Sequence, residues 1–334
     1  MRPFIYLLTI FLLLSSAISC DEEVKEGKRK KKVGAVQSAP YELLVVCDKG
    51  WYNSGAGTTF KDFANTLMTG MPQDEPIFKV LCIDHSAFTK TFSTFGCIIF
   101  VNISKEYTKE EVLIADNQYA RPQVCVTINA PDNQGVSNII AKHGQRILDI
   151  MTDNEMGRAM SILTKDYSPV VDNNARKMFG CTWHMPSEIN LIKQGDHFFW
   201  ASSPDNTLNA CMYDYPLTSP ETFTKRYFCH KRDSFMYYNI KGEEWGQHME
   251  TDTSTVTVRD RNIKGNYVFE VHGLWDMKGD AMGGPFISYA QLDSVRNRII
   301  VTEAFVYLPN KEKKKYMHRL EAGLRTLKIL PKSN

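Results

Sequence analysis

Short runs of β-branched and aliphatic residues recur along the chain, each bounded by Gly, Pro, Asp or Asn, and such runs predict strands. In the first half they are YELLVVC at 41–47, IFKVLCI at 77–83, CIIFVNI at 97–103 and QVCVTINA at 123–130. Between the first two, Phe60, Phe63, Ala64 and Leu67 mark the apolar face of a helix over 58–68. Val136, Ile139, Ile140, His143, Ile147, Ile150 and Met151 line one side of a longer helix over 133–163. In the second half, 189–203 reads as a hairpin around Gln194-Gly195, with further strands at 208–217, 266–277, 284–293 and 298–309. Ser219-Pro220-Glu221-Thr222 has the form of an N-cap with Pro at N1, opening a helix that includes Phe223 and Phe228. The stretch 232–266 is polar and turn-rich around STVTVRD at 254–260. Tyr316, Leu320, Leu324 and Leu327 place a last helix from Glu312 onward.

Strands that adjoin in sequence, in halves that each end in a helix, predict an α+β fold with two mixed, mainly antiparallel sheets covered by helices. The expected units are 40–165 and 187–330, with 166–186 as the boundary segment between Pro169 and Pro186.

Ahead of these units, Arg2 precedes an apolar stretch from Phe4 to Leu14, and Ser15, Ser16, Ala17, Ile18 and Ser19 lead to Cys20. The stretch is shorter than the about 20 residues a bilayer span needs and fits the h-region of a secretory signal. Small residues directly before a cysteine resemble the lipobox of bacterial lipoproteins. The expectation is a signal peptide over 1–19, acylation of Cys20, and a flexible charged tether over 20–39. That predicts membrane attachment through lipid, in the cell envelope, at an outer membrane and facing periplasm or exterior. Stable anchoring by acyl chains needs more than one chain.

Composition narrows the chemistry. With 43% hydrophobic and 23% charged residues and a formal charge of +2, the chain is not mostly disordered. It also has no global field for nucleic acid. Seven cysteines follow Cys20, an odd number, and no C-x-x-C, H-E-x-x-H or G-x-S-x-G occurs. Gly55 and Gly57 lack the third glycine and the Lys of phosphate loops. No metal or cofactor is therefore predicted.

Two candidate sites remain. His197 and His272, with Asp260 and Glu303 as oxygen donors, are polar groups that separated strands could assemble. Met282, Gly283, Gly284, Pro285 and Phe286 form either a tight turn or a backbone nest for an anion or a peptide carboxylate. The balance favours a noncatalytic binding or assembly module for another envelope protein, a peptide or a glycan. The alternative is an envelope hydrolase with a site assembled across strands of the second unit.

Several segments taken together carry a family resemblance: PYELLVV at 40–46 followed by Trp51, MPQDEPIF at 71–78, ARPQVCVTI at 120–128, MGGPF at 282–286 and EAFVYLPNKEKKKYMHRLEAGL at 303–324. Over residues 40–330 the chain resembles the Bacteroidetes lipoprotein family built on domain of unknown function 4837. The resemblance implies an address and an architecture. It brings no reaction, ligand or catalytic residue.

Overall fold

The computed structural model describes residues 33–263 and 265–332, so the expected signal peptide, Cys20 and the tether up to residue 32 lie outside it. Strands β1 (Glu42–Val46), β2 (Lys79–Ile83), β3 (Cys97–Ile103), β4 (Glu111–Asp116) and β5 (Val124–Ala130) form a five-stranded sheet in the order β2-β1-β3-β5-β4. β1 pairs in parallel with β2 and β3, and β3 pairs in parallel with β5; β4 runs antiparallel to β5. The expected mainly antiparallel first sheet is thus corrected to a mixed sheet, mostly parallel. β2 and β3 adjoin in sequence but flank β1, because residues 84–96 between them are long enough for a crossover. The apolar pattern does not predict β4, since Leu113 and Ile114 are exposed and the strand is held by its ladder to β5.

Helices α1 (Thr58–Ala64) and α2 (Asn133–Leu163) cover one face of this sheet, setting Phe60, Phe63, Val136 and Ile147 against Val45, Ile99 and Val126. Asp132 caps α2, its carboxylate accepting the Gly135 N–H at 2.9 Å. Phe88, Phe92, Phe95 and Tyr119 close the opposite face over Leu44, Val46 and Ile98. Strands buried on both sides read as unbroken apolar runs, which is why these were legible.

Residues 166–186 contain α3 (Pro169–Asn174), capped by the Ser168 hydroxyl, and a left-handed Gly180 with φ +62°. Val171, Phe179, Cys181 and Trp183 from this segment are buried in the core of the second sheet. That sheet comprises β6 (Leu191–Gly195), β7 (Phe198–Ser202), β8 (Leu208–Pro216), β9 (His248–Ile263), β10 (Asn266–Lys278), β11 (Gly283–Asp293) and β12 (Arg298–Val306). Their order is β9-β10-β11-β12-β8-β7-β6, antiparallel throughout.

Helix α4 (Lys225–Asn239) covers the face that carries Phe286, Val301 and Phe305. Helix α5 (Lys314–Leu324) and the Trp183–Ile189 segment cover the face of Ile287, Tyr289 and Ile300. α4 starts later than its sequence signal: Thr224, not Ser219, is the cap, accepting the Tyr227 N–H. The polar stretch around 254–260 proves to be part of the long strand β9.

The MGGPF turn is also corrected. Gly283 and Gly284 lie inside β11, opposite Asp276 and Trp275, and neither has positive φ. The reversal from β10 is made at Gly279, with φ +82°. The two glycines serve close approach instead. A Cβ on Gly284 would collide with the Val306 carbonyl oxygen, and one on Gly283 would come within 2.9 Å of the Trp275 oxygen.

Candidate functional site

The four polar candidates do not converge. Ser288 lies opposite both Val271 and Glu303, so Glu303 shares a sheet face with Val271, whereas Glu270 and His272 alternate onto the other. His197 sits in the turn between β6 and β7 at φ +50°, mostly exposed. Its Nδ1–H donates to Asp214 at 2.8 Å, and that hydrogen bond and charge raise its pKa. Asp260, on β9, accepts the Tyr267 phenol at 2.6 Å. His272 is largely but not fully buried and donates to Glu270 at 3.0 Å. Burial alone would lower its pKa, but the Glu270 hydrogen bond and charge outweigh that and raise it. Among the described residues no group of three or more His, Cys, Asp and Glu could hold a metal ion. The seven described cysteines are free thiols, mostly buried, with Cys47 and Cys82 in contact at 3.6 Å.

Glu303 instead anchors the α4 face. Arg232 reaches it with Nε at 3.1 and 3.0 Å and Nη2 at 2.9 Å, and the Ser288 hydroxyl donates to it at 2.6 Å. Both side chains are fully buried, and the guanidinium lies 4.0 Å from the centroid of the Phe286 ring. Phe286 of the MGGPF segment is thus part of the packing around a buried ion pair. Met282 lines a small neighbouring cavity of about 210 Å³ together with Trp200, Trp275 and Tyr307.

A larger arrangement forms where α2, the start of β1 and α5 meet. The sequence KEKKKY at the start of α5 offers no Ser, Thr, Asp or Asn as a cap. Glu75, itself buried, supplies one from 238 residues away, accepting the Lys313 and Lys314 N–H groups at 3.0 and 2.8 Å. A carboxylate at this end also complements the helix dipole. Tyr41 has φ +59°, unusual for an aromatic residue, and its N–H donates to the buried Glu155 at 3.0 Å. Glu155 is held in turn by Arg158 at 2.6 Å. The Tyr41 ring stacks on His318 of α5, centroids 3.5 Å apart and planes 7° from parallel.

His318 Nε2 lies 3.4 Å from the Ile77 carbonyl, so this nitrogen is the donor. Burial pushes the pKa of His318 down to about 4, which leaves a neutral ring whose Nδ1 is buried without a partner. Beside this stack lies a cavity of about 520 Å³. Pro40, Tyr41, Ile77, Ala159, Ile162 and Leu163 give it mainly apolar walls, and Lys79, Lys314, Lys315 and Arg319 are at its edge with Glu42, Asp166 and Glu312. The volume lies in the range of ligand pockets, about 300–1,000 Å³.

A second cavity, about 380 Å³ and more polar, takes Ser161 and Thr164 of the same helical turn, with Thr182, His184, Gln291 and Arg325. The basic residues of α5 are therefore more than a wet helix face. Sequence reasoning missed Glu75, Tyr41 and His318 as site residues. The one available signal was the dense charge of 311–319, which bears no mark of what it faces.

A family model for a domain of unknown function (DUF4837) matches residues 168–326, and one for a second domain of unknown function (DUF8532) matches residues 37–164. No curated protein matches the chain. A crystal structure from Bacteroides thetaiotaomicron is 10% identical, with a TM-score of 0.28, over 46% of this chain and 46% of that one. The chain therefore spans about half the length of that protein. The Saccharomyces cerevisiae Ran-binding protein Mog1p is 10% identical, with a TM-score of 0.30, over 46% of this chain and 93% of that one. A point mutant of Mog1 gives 11% and 0.29 over 45% and 91%.

Proposed function

We propose, for a chain that belongs to the family built on the domain of unknown function DUF4837, a noncatalytic binding role in the cell envelope, exerted from a lipid anchor at Cys20. The observation that carries the binding role is the cavity of about 520 Å³ between α2, the start of β1 and α5. It is mainly apolar, and its wall is tied down by the Glu75 cap and the Tyr41–Glu155 contact. A wall held by buried hydrogen bonds keeps its shape without a ligand, which lowers the ordering cost of binding. The anchor rests on the N-terminal sequence alone, on its apolar stretch and the small residues before Cys20.

Two measurements test this reading. Native mass spectrometry of the protein purified from its own membranes should find a retained small molecule, and Ile162→Trp, which fills the cavity, should lose it. Wild-type and Ile162→Trp protein both free of any retained molecule would overturn the cavity as the site. Metabolic labelling with a fatty-acid analogue should mark wild type and spare Cys20→Ala; equal labelling of the two would remove the anchor.

A further inference from the structure

We propose that the cavity takes a single aliphatic chain ending in an anionic head, a carboxylate or a phosphate; this deepens the binding role proposed above and rests on it. The walls are aliphatic, from Pro40, Ile77, Ala159, Ile162 and Leu163. The aromatic rings that line it, Tyr41 and His318, are stacked face to face on one another and leave no slot between them for a flat ring. Ile162 is 58% exposed, while the adjacent Leu163 is buried. A chain laid along α2 covers Ile162 and removes apolar surface from water.

The head is set by the cations at the edge. Lys79 is paired with Glu42 at 3.2 Å and Arg319 with Glu188 at 2.7 Å. Lys314 Nζ donates to the Pro76 carbonyl at 3.1 Å, and among the described residues neither it nor Lys315 has a carboxylate partner. An ammonium with donors to spare recognises a carboxylate or phosphate as a point charge. Asp166 and Glu312 also line the cavity, and with Lys79 and Arg319 already paired the head is assigned to Lys314 and Lys315. His318, neutral at pH 7, keeps the wall near these lysines uncharged and favourable to the first methylenes of the chain.

The test uses the full chain in bilayer discs and an alkyl carboxylate carrying a photoreactive diazirine in its tail. Labels should map to the peptides containing Ile77 and Ile162. An alkyl carboxylate and an alkyl phosphate of equal length should displace the probe at concentrations at least about tenfold below an alkyltrimethylammonium. A stronger carboxylate points to a free fatty acid and a stronger phosphate to a phospholipid-derived ligand, and either result supports the assignment. Lys314→Gln with Lys315→Gln should cut the preference severalfold, with the circular dichroism spectrum unchanged. Equal displacement by the cation overturns the anionic head. Labels that avoid both peptides, while native mass spectrometry still finds a retained molecule, overturn the aliphatic chain and leave the binding role standing. No labelling and no retained molecule overturns both.

Discussion

His318 makes the stability of the fold depend on pH in a way the cavity wall dictates. The ring is 5% exposed, stacked on Tyr41 and hydrogen-bonded to Ile77. Glu321 and Glu75 nearby favour its charged form and Lys314 opposes it, but burial dominates and lowers the pKa from 6.5 to about 4. Between those values the unfolded chain binds more protons than the folded one, so stability is complete above pH 6.5 and falls on acidification. At about 1.4 kcal/mol per pKa unit, the loss by pH 4 is on the order of 3 kcal/mol, a large share of a typical net stability of about 5–15 kcal/mol. His318→Phe keeps a ring against Tyr41 and removes the titration, at the cost of about 1 kcal/mol for the Ile77 hydrogen bond at neutral pH. Urea unfolding of both proteins at pH 7, 6, 5 and 4 cancels the other titrating groups in the difference. Wild type should start level with the variant or above it and fall below it by pH 4. Parallel stability curves over this range would refute the argument, because they would mean that His318 titrates alike in both states.

Three further outcomes follow from buried contacts. Arg232→Met leaves the Glu303 carboxylate without its partner in a fully buried site and should cost about 3–5 kcal/mol in urea unfolding, most of it recovered when Glu303→Met is added. Gly284→Ala should lower the melting temperature more than Gly279→Ala does. The first forces a side chain into the Val306 carbonyl, while the second adds only left-handed strain of about 1–2 kcal/mol. Glu75→Ala uncaps α5 and should cost about 0.5–2 kcal/mol, with faster amide exchange at Lys313 and Lys314 as the local signature.

What the chain declares locally is the set of elements buried on both sides or carrying an apolar stripe. β1, β3 and β5 are runs of Val, Ile, Leu and Cys because both their faces are covered, and α2 announces itself through its apolar stripe. The lipid anchor proposed at Cys20 likewise rests on contiguous residues alone. Pairing direction was beyond this kind of reading. An apolar run looks the same in a parallel or an antiparallel ladder, and only the path of residues 84–96 across β1 sets β2 and β3 on either side of it. MGGPF shows the same limit: its glycines read as a turn, yet it is the Val306 carbonyl, brought alongside by the sheet, that excludes a side chain there.

The cavity was the least legible feature, and the physical reason is separation along the chain. Lys314 lies 239 residues from the carboxylate of Glu75 that caps it, and Tyr41 lies 114 residues from the Glu155 that holds its backbone. No periodicity of 2 or 3.6 spans such intervals. A buried acid, a strained tyrosine and a neutral histidine look ordinary in the sequence, and only the packing of α5 against α2 and the start of β1 makes them one wall.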